Sequence, residues 1–158
     1  MHAKRIGLCA ALLSAGLFAK VTAGSLDAAP HRSLSPEQVV RCQMEALRSN
    51  DNDDKGIATA FRFASPSNKQ VTGPLHRFIQ MIKHSPYSVM LDPQLIEYGD
   101  IQIVDDEAQL RVSVLSADYV AIAFRFYLRR QTHVGCEGCW MTDGVTVEGA
   151  RQLPGVKT

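Results

Sequence analysis

The apolar residues of this chain change their spacing once. As far as Ile82 they recur every three or four positions, and from Leu95 onward every second position. The first spacing lines up side chains on one face of a helix, the second on one face of a strand. The chain is therefore predicted to fold as helices followed by strands, which is the α+β arrangement. Three N-terminal helices are expected to pack on a curved antiparallel sheet of about four strands.

The helical half carries its own punctuation. Ser35, Pro36 and Gln38 form a start signal: a hydroxyl to cap, a proline suited to the first turn and a glutamine to complete a capping box. Val39, Val40, Gln43, Met44 and Leu47 then share one side, and the polar run 49–52 ends the helix. Asp53 and Asp54 place negative charge at the start of a second helix. Its stripe is Ile57, Ala60, Phe61 and Ala64, and Ser65-Pro66 closes it, because a residue before proline avoids helical angles. Gly73-Pro74 opens a third helix with Leu75, Phe78, Ile79 and Ile82 in register, closed by Ser85-Pro86-Tyr87.

In the strand half, Ile101 and Ile103 alternate with polar neighbours before a turn at Asp105-Asp106. Ala108, Leu110, Val112 and Val114 form a second run. Ile122, Phe124, Phe126 and Leu128 form a third, opposite Arg125, Tyr127 and Arg129, and residues 140–147 a fourth. The short turns between runs favour an antiparallel meander.

Residues 1–23 have a different character. A short basic start with Lys4 and Arg5 precedes the run IGLCAALLSAGLFA, and Val21-Thr22-Ala23 offers compact residues to a peptidase. That order is the signal-peptide pattern, and a plastid leader of signal-like form would look similar. The run is shorter than the roughly 20 residues of a membrane span. The expected location is outside the cytosol, either secretory and extracellular or plastid, with no transmembrane span left after processing. Residues 24–34 read as a flexible linker, 35–148 as the domain and 149–158 as a C-terminal tail. Removing Lys4, Arg5 and Lys20 from 17 basic residues leaves 14 against 16 acidic ones, a net of −2. No basic cluster interleaved with aromatics remains, so nucleic acid is not an expected partner.

Four segments carry a resemblance: 35–40 (SPEQVV), 58–66 (ATAFRFASP), 73–87 (GPLHRFIQMIKHSPY) and 138–145 (GCWMTDGV). Through them the chain resembles the DUF4864 family, small domains of unknown function, over most of 35–147. The resemblance implies no established activity. The family's order of helices and meander is similar to the NTF2-like or cystatin-like cone, in which a bent sheet wraps a helix and leaves a pocket at its open end. No Asp/His pair here matches an NTF2-like enzyme motif.

Within that picture a few residues can carry chemistry. Tyr87 and Tyr98 flank the junction of helices and sheet, where a cone would open, and can orient a small polar ligand or simply pack at an edge. Trp140 can floor a pocket or belong to the core. Asp143, before Gly144, is either an acid at a pocket mouth or part of a turn or bulge. Cys136 and Cys139 have the spacing of a disulfide, of a redox pair or of half a zinc site, and two free thiols are a further reading. Zinc would lack ligands, since Cys42 is the only other cysteine after residue 23. Arg111, Arg125 and Arg129 mark a polar sheet face, solvated or in contact with a second copy in a homodimer.

The motifs of dinucleotide, P-loop, zincin, nucleophile-elbow and EF-hand chemistry are missing. No cofactor and no metal is expected. The leading expectation is a non-catalytic binding or accessory domain that uses the pocket or the sheet face for a small molecule or a protein partner. Two alternatives remain: a small NTF2-like enzyme with Asp143 and a tyrosine or His76 in the pocket, and redox behaviour through Cys136 and Cys139.

Overall fold

The computed structural model describes residues 27–154; the leader expected at 1–23 lies outside them. Four α-helices precede the sheet: α1 (Pro36–Arg48), α2 (Lys55–Arg62), α3 (Pro66–Thr72) and α4 (Leu75–Lys83), with a 3₁₀ turn at Tyr87–Met90. The α+β class is as expected, but the helices number four rather than three. The extra one, α3, starts from the signal that ends α2. Ser65 is extended and its hydroxyl accepts from the Asn68 amide, with Pro66 in the first turn. This repeats the pattern of Ser35 and Pro36 at α1, where the capping box forms in full. Periodicity gave no warning of α3, since it buries only Asn68 and leaves Val71 84% exposed.

Asp54 stands at the start of α2, where the sequence places negative charge. Asp54 adopts a left-handed conformation and makes no side-chain cap bond. Asn50 and Asp51 accept instead, from the amides of Ile57 and Lys55, while Asp54 reaches Lys83 of α4 at 2.8 Å. That ion pair and Asn50 hold the Asp54 carboxyl below its usual range. Helices α1 and α2 pack so closely that a Cβ at Gly56 would collide with the Ala46 carbonyl.

The sheet has five strands: β1 (Leu95–Tyr98), β2 (Gln102–Val104), β3 (Glu107–Leu115), β4 (Val120–Arg130) and β5 (Trp140–Gln152). All pairings are antiparallel in the order β1-β3-β4-β5, with β2 beside the start of β3. The single first run of the sequence is thus two short strands, both paired with β3. Strand β5 continues to Gln152, into the stretch read as tail. Ala28 and Leu34, in the stretch read as linker, pack on the core.

One face of the sheet closes over the helices. Leu110, Val112, Val114, Phe124, Phe126 and Leu128 are buried with Val39, Val40, Met44, Ile57 and Phe63 in one cluster. Two bulges bend β5 against β4. Ala123 pairs with Gly149 and Phe124 with Val147, so Glu148 is an extra residue; likewise Asp143 is extra between the partners of Tyr127 and Leu128. A bulge sharpens local twist and re-aims the side chain it inserts. Among the described residues no helix is long and apolar enough to cross a membrane.

Candidate functional site

The outer edge of β5 would be an open ladder, and the chain closes it with its own backbone at one point. The Thr142 amide donates to the Phe63 carbonyl at 2.9 Å, and the Thr142 carbonyl accepts from the Ser65 amide at 2.9 Å. The 63–65 segment between α2 and α3 thereby docks on the strand edge, with Ala64 bridging to Thr142. Edge groups that are paired in this way are not left unsatisfied in the interior.

A polar seam grows from that junction. The Thr142 hydroxyl donates to Oε1 of Gln43 on α1 at 2.6 Å, and Nε2 of Gln43 donates to the Ala60 carbonyl at 3.1 Å. Nδ2 of Asn68 donates to the Thr142 carbonyl at 3.0 Å. Thr72 returns its hydroxyl hydrogen to the Asn68 carbonyl at 3.0 Å. Next along β5, the bulge residue Asp143 accepts from Nε of Arg129 at 3.0 Å and from the Ser67 hydroxyl at 3.3 Å.

The seam borders a cavity of about 250 Å³ between the helices and the sheet. Its walls are chiefly apolar, among them Leu47, Phe78, Ile82, Met90 and Phe126, and the polar lining includes Gln43, Asn68, Thr142 and Asp143. Tyr87 also lines it, stacked at 5.8 Å on Phe124, with its hydroxyl 3.4 Å from the Val145 carbonyl.

Two of the four pocket residues expected from sequence, Tyr87 and Asp143, therefore meet at one cavity. The other two do not. Tyr98 sits on β1 at the far edge of the sheet, with two strands between it and β5. The guanidinium of Arg41 lies 4.0 Å above its ring, and burial raises its phenol pKa. Trp140 is buried in the core beneath Arg130, outside the cavity wall. His76 is exposed on α4 and does not line the cavity either. The sequence missed Asn68 and Thr142 as site residues, and it placed Gln43 in an apolar stripe without using its amide. A glutamine inside such a stripe was the available signal.

Cys136 and Cys139 are joined in a disulfide, with Cα atoms 5.4 Å apart, in the loop between β4 and β5. The loop is tied by the Cys139 amide to the Cys136 carbonyl and by the Gly138 amide to the Gln131 carbonyl. Neither cysteine reaches the cavity. Cys42 is free and half-buried, and burial pushes its thiol pKa up, which keeps it protonated. Among the described residues no three His, Cys, Asp or Glu side chains converge as a metal site would need.

On the outer face of the sheet lies a wider depression of about 560 Å³, with Ser113, Ala121, Ala123 and Gly149 in its lining. Glu97, Arg111, Glu148 and Arg151 also line it. Glu148, the other bulge residue, is held by Arg111 at 3.1 Å and by Arg125. These guanidinium groups keep its carboxyl below the usual range.

Comparison with known proteins gives one match. The model of a family described as a domain of unknown function, DUF4864, matches residues 31–153. No curated protein and no solved structure matches the chain.

Proposed function

The chain belongs to the DUF4864 family, and from that premise we propose that it is a non-catalytic binding domain whose helix–sheet cavity takes a small, largely apolar molecule. The observation that carries this reading is the cavity itself: about 250 Å³, walled by Phe78, Ile82, Met90 and Phe126, with polar groups gathered along one seam. Binding sites are commonly of this kind, apolar with a few placed polar groups, and drug-sized ligands need about 300–1,000 Å³. The ligand is accordingly smaller than that. Catalysis asks for more than the seam offers, because Asp143 already serves Arg129 and Ser67 and His76 and Tyr98 stand apart from it.

The domain works outside the cytosol, exported or in an organelle. The pattern of residues 1–23 supports this, as does the Cys136–Cys139 disulfide, a bond that persists in oxidising compartments.

The test is native mass spectrometry of the protein purified from its own source, followed by NMR of the released molecule added back. A bound small molecule whose return shifts the signals of Ile82, Met90 and Phe126 is the expected result. A ligand-free protein whose cavity signals ignore every small apolar probe would refute the reading.

The outer depression favours a second reading, contact with another copy of the chain. Small residues and charges of both signs line it, which suits a self-complementary two-fold contact. Sedimentation that shows only monomer at high micromolar concentration removes it.

A further inference from the structure

The hydrogen-bond inventory of the seam is lopsided. Its hydroxyls are committed as donors: Thr142 to Gln43, Thr72 to the Asn68 carbonyl, Tyr87 to the Val145 carbonyl. Asn68 directs its amide nitrogen to a carbonyl that also receives the Ser65 amide, which fixes the orientation of the carboxamide. Its Oδ1 then receives no hydrogen bond from any described residue. Asn68 is 7% exposed. Every fully enclosed side-chain nitrogen or oxygen among the described residues has a partner, so Oδ1 keeps some accessible surface, and Asn68 is one of the residues that line the cavity. Beside it, each carboxylate oxygen of Asp143 accepts one hydrogen bond and has capacity for another. Gln43 and Asn68 each keep a second amide hydrogen. The oxygens with room for a further hydrogen bond, however, are those of a nearly buried amide and an acid, and these are the acceptors the cavity offers its occupant.

We propose that the cavity selects molecules with an apolar body ending in a neutral hydroxyl, which donates to Oδ1 of Asn68 or to the Asp143 carboxylate. This deepens the binding reading above and rests on it. A ligand ending in an ether, ester or ketone has no hydrogen to give, and leaves Oδ1 desolvated and unpaired. A carboxylate would bring its oxygens against those of Asn68 and Asp143. An ammonium would have to give up its hydration for a largely apolar cavity whose lining charge, Asp143, is already engaged at 3.0 Å by an arginine it shares with Glu107, and taking a cation out of water is costly. A hydroxyl meets none of these penalties.

The probes are octanol, heptyl methyl ether, octanoate and octylammonium, of similar length and matched in apolar body, titrated into the full chain and followed by NMR at Ile82, Met90 and Phe126. Octanol is expected to bind about tenfold more tightly than the ether, the ratio that one net hydrogen bond supplies. Octanoate is expected to bind weakest. The octanol-to-ether ratio should shrink towards one in Asn68→Ala where Oδ1 is the acceptor, in Asp143→Ala where the carboxylate is, and in either case in the double variant. Should these variants fail to fold, the ratio in the native protein still decides. Equal affinity for octanol and ether, with shifts at the cavity, overturns the donor rule and leaves the binding reading standing. Tighter binding of octanoate or octylammonium than of octanol also overturns it. Silence at the cavity with all four probes overturns the binding reading and this inference with it.

Discussion

Phe124 and Arg125 are neighbours on β4, and the strand ladder treats them alike, pairing each with one residue of β3 and one of β5. Their side chains enter opposite worlds. Phe124 is fully buried among the helices, as are Leu110 and Val112 from β3. Arg125 joins Arg111 around Glu148 on the outer face, while Arg129 bridges Glu107 and Asp143. The inner face holds the fold together by removing apolar surface from water. The outer face is a lattice of ion pairs in contact with solvent, where each pair is worth little. Stability and surface chemistry are therefore separated residue by residue along the same strand, and only the β5 bulge at Asp143 mixes them. Asp143 is tied to an outer-face arginine and yet lines the inner cavity.

The contrast is tested most severely by Phe124→Ala. Truncating a fully buried aromatic should cost about 3–5 kcal/mol in urea or guanidinium unfolding. A loss under about 1 kcal/mol would mean that the inner face does not carry the core. The next test falls on the junction between the faces. Thr142→Val keeps the shape but removes the hydroxyl that Gln43 accepts from, leaving Oε1 of Gln43 without its partner. A loss of about 1–3 kcal/mol is expected, with increased amide exchange at Ser65 and Thr142 as the edge contact loosens. On the outer side, Tyr127→Ala removes a ring that is 37% exposed, and should cost about 1 kcal/mol or less. Similar losses for Tyr127→Ala and Phe124→Ala would erase the distinction between the faces.

Periodicity alone makes the faces legible. The four inward residues of the third run, Ile122, Phe124, Phe126 and Leu128, are all buried, and alternation alone identifies them. Where the sequence fell short, the missing information was non-local. Helix α3 has no apolar stripe because it covers a strand edge and not the core, so only its Ser-Pro cap could have betrayed it. Tyr87 and Tyr98 looked alike as flanking aromatics. Strand order separates them, with β1 and β5 on opposite edges, about 14 Å apart at the usual strand spacing. Bulges are invisible to a period of two, because they exist only in the register between strands. Asp143 could be read as a bulge or a pocket acid; in the fold it is the extra residue of a bulge, and it lines the cavity.

Glu148→Gln probes the outer lattice where its effect is smallest and its signature clearest. Arg125, then Arg111, hold the carboxyl below its usual range. Its unfolded value is about 4.3, so the folded state binds the proton less readily than the unfolded chain. The resulting stabilisation is complete above that value and is lost as pH falls through the lower, folded one. Glutamine has no such component. The stability difference between native protein and variant should be small at neutral pH and should shrink as the solution is acidified below about pH 4. Asp51 and Asp54, also held low by Lys55 and Lys83 among their partners, lose their contributions in the same acid range, but they do so in both proteins and cancel in the difference. Salt should shrink the difference too, since this pair faces water. A difference that ignores both pH and salt would mean that Glu148 acts through its place in the bulge and not through its charge, and the outer face would then be held by backbone register alone.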